Sequence, residues 1–389
     1  MNKTYKFRIN PTAKQAKILE HILEICRVLY NSCLLDRKRN YEETGKSLTR
    51  IQQQKILTSD KKRIGFLNDI HSQVLQNVLF RVERAFQNFF RRVKAGEKPG
   101  YPRLKSEGRY DSITYPQEPA FQIMEHGLKL SKIGTVKMKL HRPIIGIIKT
   151  CTIKREIDRW YACLSVEYEA VKKPVHGKFV GIDVGIKSFA TLSDGAVINN
   201  PKYLRKSEKK LKAKQGQLSK KIKGSGNRRR ARTIVAKLHR KIRNQRSDFL
   251  HKESRKIVNT CGFIAAEDLD IKGMVRNHCL AKSISDAGWG QFLGFLEYKA
   301  EEAGVQFEKV APHYTSINCS HCGNPVPKTL KDRIHFCIAC GTILNRDHNA
   351  AINILKKSTV GTYGKLRLGR QLMSDAAREP GSPIQSSIG

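Results

Sequence analysis

The sequence predicts an α+β protein of several domains, on three observations. Apolar residues recur at helical spacing through residues 11–95, alternate like strands in 1–10 and 96–175, and gather in short apolar runs after residue 176. Four cysteines between residues 319 and 340 are paired as in a zinc ribbon. A chain of 389 residues has room for two or three domains, and 39% hydrophobic residues supports ordinary cores.

Taken in order, residues 4–9 (TYKFRI) alternate as a strand. A helix follows, with Thr12 and Gln15 at capping-box spacing and Ile18, Ile22, Ile25, Leu29 and Cys33 on one face. A second amphipathic helix is predicted from Ser72 to Val93, where Val74, Val78, Val82, Phe86 and Phe89 share a face. Both stripes read as helix packing. The basic residues beside the second, Arg81, Arg84, Arg91 and Arg92, are candidates for nucleic-acid contact. Residues 94–116 are a Gly/Pro-rich boundary. Alternating segments at 127–140 and on both sides of a turn near Asp158 then predict a small antiparallel β-barrel. VKKPVHGK reads as a linker into the strand KFVGIDV.

Charge narrows the function. The chain carries 74 Lys and Arg against 34 Asp and Glu, a formal +40, and such a surface repels itself unless an anion shares the charge. Residues 201–260 hold 22 Lys and Arg and three acids, and read as two helices broken at KGSGNRRR. Lys209, Lys210, Arg228, Arg229, Arg230, Arg240, Lys241 and Arg243 are the candidates there for phosphate contacts, which give salt-dependent affinity without base specificity. Apolar runs such as PIIGII are far shorter than the ~20 residues a membrane span needs. A nucleic acid is therefore the expected partner, with no membrane and no small-molecule substrate. The N-terminus has no apolar signal-peptide core, and Cys26, Cys33, Cys151, Cys163, Cys261 and Cys279 read as reduced core residues, so a cytoplasmic protein is expected.

Three acids stand in apolar surroundings: Asp183 in FVGIDVG, Glu267 at the end of CGFIAAE and Asp347 at the start of an amphipathic helix. A lone buried carboxylate costs several kcal/mol unless a cation or donors compensate it. Each has a plain alternative: Asp183 on turn amides, Glu267 on a loop beside Asp268, Asp347 as a helix cap. Together in so basic a chain they read as oxygen ligands for Mg²⁺. Two such ions ~3.5–4 Å apart could activate a water and stabilise the leaving oxygen of a phosphodiester. Cys319-x₂-Cys322 and Cys337-x₂-Cys340 have the spacing of a closed, structural Zn²⁺ site, which interrupts the region between the second and third acids.

The motifs GIDVGIKSFATLSDG, FIAAEDLDIKGM and NRDHNAAINIL, in this order, resemble the three acidic motifs of RuvC-like nucleases, in the versions of the OrfB/TnpB proteins of insertion sequences, relatives of type V CRISPR effectors. KFRINPTAKQ and KPGYPRLKS extend the resemblance over about residues 3–360. It implies an RNase H/RuvC-like α/β nuclease core (176–312 and 341–360) with an inserted zinc ribbon (313–340). A small β-barrel (1–10 and 96–175), interrupted by a helical bundle (11–95), would precede it; residues 361–389, Gly/Ser-rich and without periodicity, are expected to be a flexible tail. It also implies Asp183, Glu267 and Asp347 as metal ligands, Asn349 as a donor supporting Asp347, and a ribbon beside the active site, after TSxxCxxCG. A guide RNA from the element's end would pair with double-stranded target DNA next to a short motif. Two other readings remain at this stage: a catalytically silent nucleic-acid-binding regulator, and a transposase that joins strands itself. The second needs a nucleophilic Tyr beside a His-x-His pair, and the sequence has no such pair.

Overall fold

Strand β1 (Asn2–Asn10) buries Tyr5, Phe7 and Ile9 and exposes the residues between them, the period-2 pattern of a half-buried strand. The computed structural model describes residues 1–169, 177–329 and 332–360, so the predicted linker falls largely, and the tail wholly, outside the described residues. The chain divides into two units, Met1–Glu169 and Ala170–Gly389.

In the first unit, α1 (Ala13–Thr44) starts at the predicted capping box. The Gln15 amide donates to Thr12 Oγ1 at 3.3 Å, and the Thr12 amide donates to Gln15 Oε1 at 3.0 Å. The helix ends where Gly45 takes φ 70, a conformation that costs other residues more. Helix α2 (Arg50–Arg63) was not expected from periodicity, because it buries only Gln53 and Leu57. Its capping box, Thr49 with Gln52, was the available signal. Helix α3 (Ser72–Lys94) buries Val74, Val78, Val82 and Phe86 as predicted. Strands β2 (Ser112–Tyr115), β3 (Phe121–Met124), β4 (Gly127–Leu130), β5 (Gly134–Met138), β6 (Ile147–Glu156) and β7 (Arg159–Glu167) follow.

These strands form one antiparallel sheet in the order β2-β6-β7-β1-β5-β4-β3. The predicted barrel is not closed: among the described residues no ladder joins β2 to β3. Alternation tells which face of a strand is buried, whereas closure depends on shear and tilt between strands, which alternation does not encode. Leu19, Leu23 and Cys26 of α1 and Leu75, Val78 and Leu79 of α3 share one core with Phe7, Ile113, Val136 and Leu164 of the sheet. Burying a large apolar side chain contributes roughly 1.5–3 kcal/mol, so this shared core, rather than the weakly apolar α2, holds the unit together.

The second unit opens with β8 (Lys178–Val184), β9 (Ser188–Leu192) and β10 (Val197–Asn199), then the basic helices α4 (Tyr203–Ser219) and α5 (Gly226–Thr260). The break between the helices comes earlier than expected, at residues 220–225, where Gly224 has φ 86 and Ser225 caps α5, so Arg228, Arg229 and Arg230 are helical. Helix α5 runs directly into β11 (Cys261–Glu267), followed by α6 (Ile271–Met274), α7 (His278–Ala287), α8 (Trp289–Ala303) and β12 (Gln306–Val310). A hairpin of β13 (Ile334–Phe336) and β14 (Ile343–Asn345) then leads straight into α9 (Arg346–Val360).

The main sheet has the order β10-β9-β8-β11-β12, with β8, β9 and β10 antiparallel and β8, β11 and β12 parallel. Val180, Ile182, Ile264 and Ala266 face a core with Leu250, Ile257, Phe292 and Leu296 of α5 and α8. On the other face, Phe263 and Ala265 pack with Ile354, with Phe179 and Leu355 against them. Of the six scattered cysteines, Cys26, Cys33, Cys151 and Cys261 are buried and Cys163 is half-buried, but Cys279 is exposed on α7. The expectation of a core residue fails for Cys279 because α7 buries only Ile284 and Ala287.

Candidate active site

The parallel register of β8 and β11 sets Ile182 opposite Ala266. Asp183 and Glu267 follow those two residues, so both stand at the carboxyl ends of neighbouring parallel strands. Alternation turns their side chains away from the Ile182 and Ala266 core and onto the face covered by α9. Helix α9 reaches that face closely because residue 181 is glycine. A Cβ there would overlap the Ala351 carbonyl oxygen and lie 2.8 Å from the Leu355 nitrogen. Asp347 lies in the first turn of α9, about one turn before this crossing.

Asp183 senses the other two acids. Burial pushes the Asp183 carboxyl well above the ordinary range, and the Glu267 and Asp347 carboxylates push it further, against the opposing pull of Arg346 and the Val184 amide. Burial also raises Glu267, while the Thr315 hydroxyl and Lys357 act in the opposite direction. The Thr315 hydroxyl lies 2.5 Å from Glu267 Oε1. The amide of Asp347 donates to Asn345 Oδ1 at 2.9 Å, so the Asp347 carboxylate is not needed to cap it. Hard oxygens crowded against their own repulsion, at strand ends beside a helix N-terminus, suit a Mg²⁺ donor set. Among the described residues, only the four cysteines form a group of three or more metal-binding side chains whose donor atoms all lie within 4.8 Å of one another.

The ribbon's sulfurs fit zinc. Cys319 Sγ is 3.7 Å from Cys340 Sγ, and Cys322 Sγ is 3.5 Å from Cys337 Sγ. Four sulfurs ~2.3 Å from a tetrahedral zinc lie ~3.8 Å apart. The Thr342 hydroxyl and amide lower the Cys340 thiol, while hydrogen bonds to the neighbouring thiols raise Cys322. His335 is fully buried, with Nδ1 against the Lys328 side-chain nitrogen. Burial raises the Cys319 thiol, but the Cys322 amide, the His335 ring and the His321 amide outweigh it and bring the thiol to about 7.

Asn349 departs from its expected role. Its Oδ1 accepts from the Ser320 amide at 2.8 Å and its Nδ2 donates to the Asn318 carbonyl at 2.8 Å, so it clamps the first zinc knuckle to α9 instead of supporting Asp347. Asn353, one turn further on, donates to the Thr315 and Asn318 carbonyls at 2.8 and 2.7 Å. Sequence reasoning did not single out Asn353. The repeat of Asn at i and i+4 on one helix face was the readable signal.

The basic candidates divide by direction. Lys209, Lys210, Arg229, Arg230, Lys241 and Arg243 are exposed on α4 and α5, and Arg84, Arg91 and Arg92 are exposed on α3. Three others face inward. Arg81 donates to the Ser112 carbonyl at 2.7 Å and to Thr114 Oγ1 at 3.0 Å, tying α3 to β2. Arg228 caps the end of α4 through the Leu218 and Lys221 carbonyls, at 3.1 and 2.7 Å. Arg240 is 7% exposed on the inner face of α5. Charge alone marks a segment as basic without telling which way each side chain points. The first unit also holds a cleft of about 1110 Å³ lined by Gln73, Gln76, Asn77, Phe80, Arg84 and Thr114, among others, with the Arg50 guanidinium 4.1 Å from the Phe80 ring.

Comparison with known proteins bears on the family and the fold. Residues 162–278 match the OrfB IS605 family, described as "Probable transposase". Residues 289–354 match the "Cas12f1-like, TNB domain", and residues 1–46 a "Helix-turn-helix domain" of the OrfB group. In this structure residues 1–46 form the strand β1 and the single helix α1. A Streptomyces pristinaespiralis protein described as "Putative RNA-guided DNA endonuclease" is 33% identical over 362 residues, covering 91% of this chain and 89% of its own. InsQ of Escherichia coli K12, with the same description, is 31% identical over 405 residues, covering 98% of each. The fold is similar to Cas12f1 in a cryo-EM structure of its complex with sgRNA and target DNA, with a TM-score of 0.57 at 16% identity, covering 91% of this chain and 98% of that one. The chain belongs to the OrfB/TnpB family.

Proposed function

We propose that this protein is a transposon-associated RNA-guided DNA endonuclease that hydrolyses target DNA at Asp183, Glu267 and Asp347. The single observation that carries the assignment of the site is the meeting of the three acids. Two lie at the carboxyl ends of adjacent parallel strands, one lies in the first turn of the helix crossing them, and burial, with the Glu267 and Asp347 carboxylates, raises the Asp183 carboxyl. The sheet order β10-β9-β8-β11-β12, with its antiparallel second strand, supports an RNase H/RuvC-like reading of the unit. The full-length relatives described as RNA-guided DNA endonucleases support the activity.

In this reading the acids hold two magnesium ions, which would activate a water and stabilise the leaving oxygen of an in-line displacement. The protein's share is placement. Gly181 lets α9 bring Asp347 to the sheet, Thr315 holds one Glu267 oxygen, and the cysteine ribbon, closed around zinc, ties its first knuckle to α9. The exposed cations of α4 and α5 would hold nucleic-acid backbone. In the first unit, the side-chain amides and Arg84 of the large cleft suit base edges, since Asn and Gln pair with adenine and Arg with guanine, and would read the short motif beside the target.

The deciding experiment co-expresses the protein with the DNA flanking its gene, purifies it and sequences the bound RNA. The reading expects one discrete RNA and metal-dependent cutting of DNA matched to that guide. It also expects Asp183→Ala to bind guide and target normally and to cut at least about a thousandfold more slowly. Heterogeneous RNA would overturn guidance, and undiminished cutting by Asp183→Ala would remove the acids from the chemistry.

A further inference from the structure

We propose that Thr315 is a positioning residue of the nuclease: its hydroxyl fixes the Glu267 carboxylate, and through it the zinc ribbon orients the acidic site. The inference rests on the reading of Asp183, Glu267 and Asp347 as the nuclease acids.

Glu267 ends its strand, and its flexible side chain needs an anchor to present its oxygens in one geometry. Thr315 supplies it. The threonine is 4% exposed, and its Oγ1 lies 2.5 Å from Glu267 Oε1 and 3.0 Å from the Pro312 carbonyl oxygen. Of the two contacts, the one to the Glu267 carboxyl is the shorter. One carboxyl oxygen is thereby held.

Thr315 is itself immobilised by α9. Asn349, Asn353, Lys356 and Lys357 fall at i, i+4, i+7 and i+8, one face of the helix. Asn353 binds the Thr315 carbonyl at 2.8 Å, Lys356 the Ser320 carbonyl at 2.5 Å, and Lys357 the Ala311 and His313 carbonyls at 2.9 and 3.2 Å. Asn349 holds the Ser320 amide and the Asn318 carbonyl. The segment from Ala311 to Ser320, which includes the zinc ligand Cys319, is thus bound along the helix that carries Asp347, and the Thr315 hydroxyl reaches back to Glu267 on β11. Ribbon, α9 and β11 form one hydrogen-bonded piece. A folded ribbon therefore fixes where Glu267 stands relative to Asp347, a task distinct from holding a strand of nucleic acid.

The test compares Thr315→Val, Thr315→Ser and Asp183→Ala in the complete protein–guide complex with matched target DNA. Valine keeps the shape and removes the donor; serine keeps the donor. For Thr315→Val we expect single-turnover cutting to fall by about 10–100-fold and the Mn²⁺ concentration giving half the metal-induced thermal shift to rise by about tenfold. Zinc content, guide binding and target binding should stay as in the native protein, and Thr315→Ser should recover most of both losses. The proposal is overturned if Thr315→Val cuts and binds Mn²⁺ like the native protein. It is equally overturned if serine is as impaired as valine, or if Thr315→Val loses zinc or target binding, which would make Thr315 a structural residue of the ribbon. Native-rate cutting by Asp183→Ala would instead defeat the reading of the acidic site, whatever Thr315 does.

Discussion

Ionised Asp183 is held on the fold at a cost, because burial and two nearby carboxylates all oppose its charge. A free aspartate titrates near ~3.9, and Asp183 in the fold titrates higher. Below the free value it is protonated in both states and costs nothing. As pH rises through the folded value, the unfolded chain has already released its proton and the folded chain releases it with difficulty, so stability falls. In chelator, Asp183→Asn should therefore be more stable than the native protein at neutral pH. The gap should shrink toward acid, and added Mg²⁺ should narrow it by stabilising only the native protein. Denaturant unfolding across pH measures this; a gap independent of pH would mean that charge is not the source of the strain. Asp183 was legible as an oddity in an apolar strand. Thr315 was visible only as part of a zinc motif, since nothing near it in sequence reveals that it touches Glu267.

At the scale of elements, one glycine decides whether α9 can deliver Asp347. Gly181→Ala should destabilise the protein by about 1–3 kcal/mol, because the new methyl meets helix backbone and not a flexible side-chain end. It should reduce cutting further than the stability loss explains, as α9 is displaced from the sheet. Gly216→Ala, in α4 with nothing within 4 Å of its Cβ, is the control and should stabilise by about 0.5–1 kcal/mol. Thermal unfolding and cutting rates of the two variants check this, and equal behaviour would deny the close helix–sheet approach its role. Elements with wide apolar stripes, α1 and α3, were legible as helices. Helix α2 was not, because one buried leucine and one buried glutamine make no stripe. The edge strands β2 and β3 are four residues each and flank turns, so too little alternation was present to reveal them.

For the molecule as a whole, a formal charge of +40 ties function to salt. If Lys209, Lys210, Arg229, Arg230, Lys241 and Arg243 contact phosphates, replacing them with Gln in pairs should flatten the salt dependence of RNA binding. The log–log slope should drop by roughly 0.7–0.9 for each contact removed. Changes at Arg81 and Arg240 should instead lower the melting temperature and leave that slope alone, since both point inward. Filter binding across a salt series with parallel melting curves separates the two groups. An unchanged slope in the exposed-face variants would place the backbone contacts elsewhere. Among the described residues no helix is long and apolar enough to cross a membrane.

The sequence alone determined the helix stripes, the sulfur ligands and the three acidic residue types, because periodicity, Cys-x₂-Cys spacing and charge in apolar surroundings are local properties of the chain. Tertiary structure alone decided that Asp183 and Glu267 stand side by side, that Gly181 admits α9, that the ribbon reaches Glu267 through Thr315, and that Arg81, Arg228 and Arg240 turn inward. Those facts depend on which strands pair and on which way a helix faces. Pairing and facing are set by contacts between residues far apart in the chain, which no local pattern records.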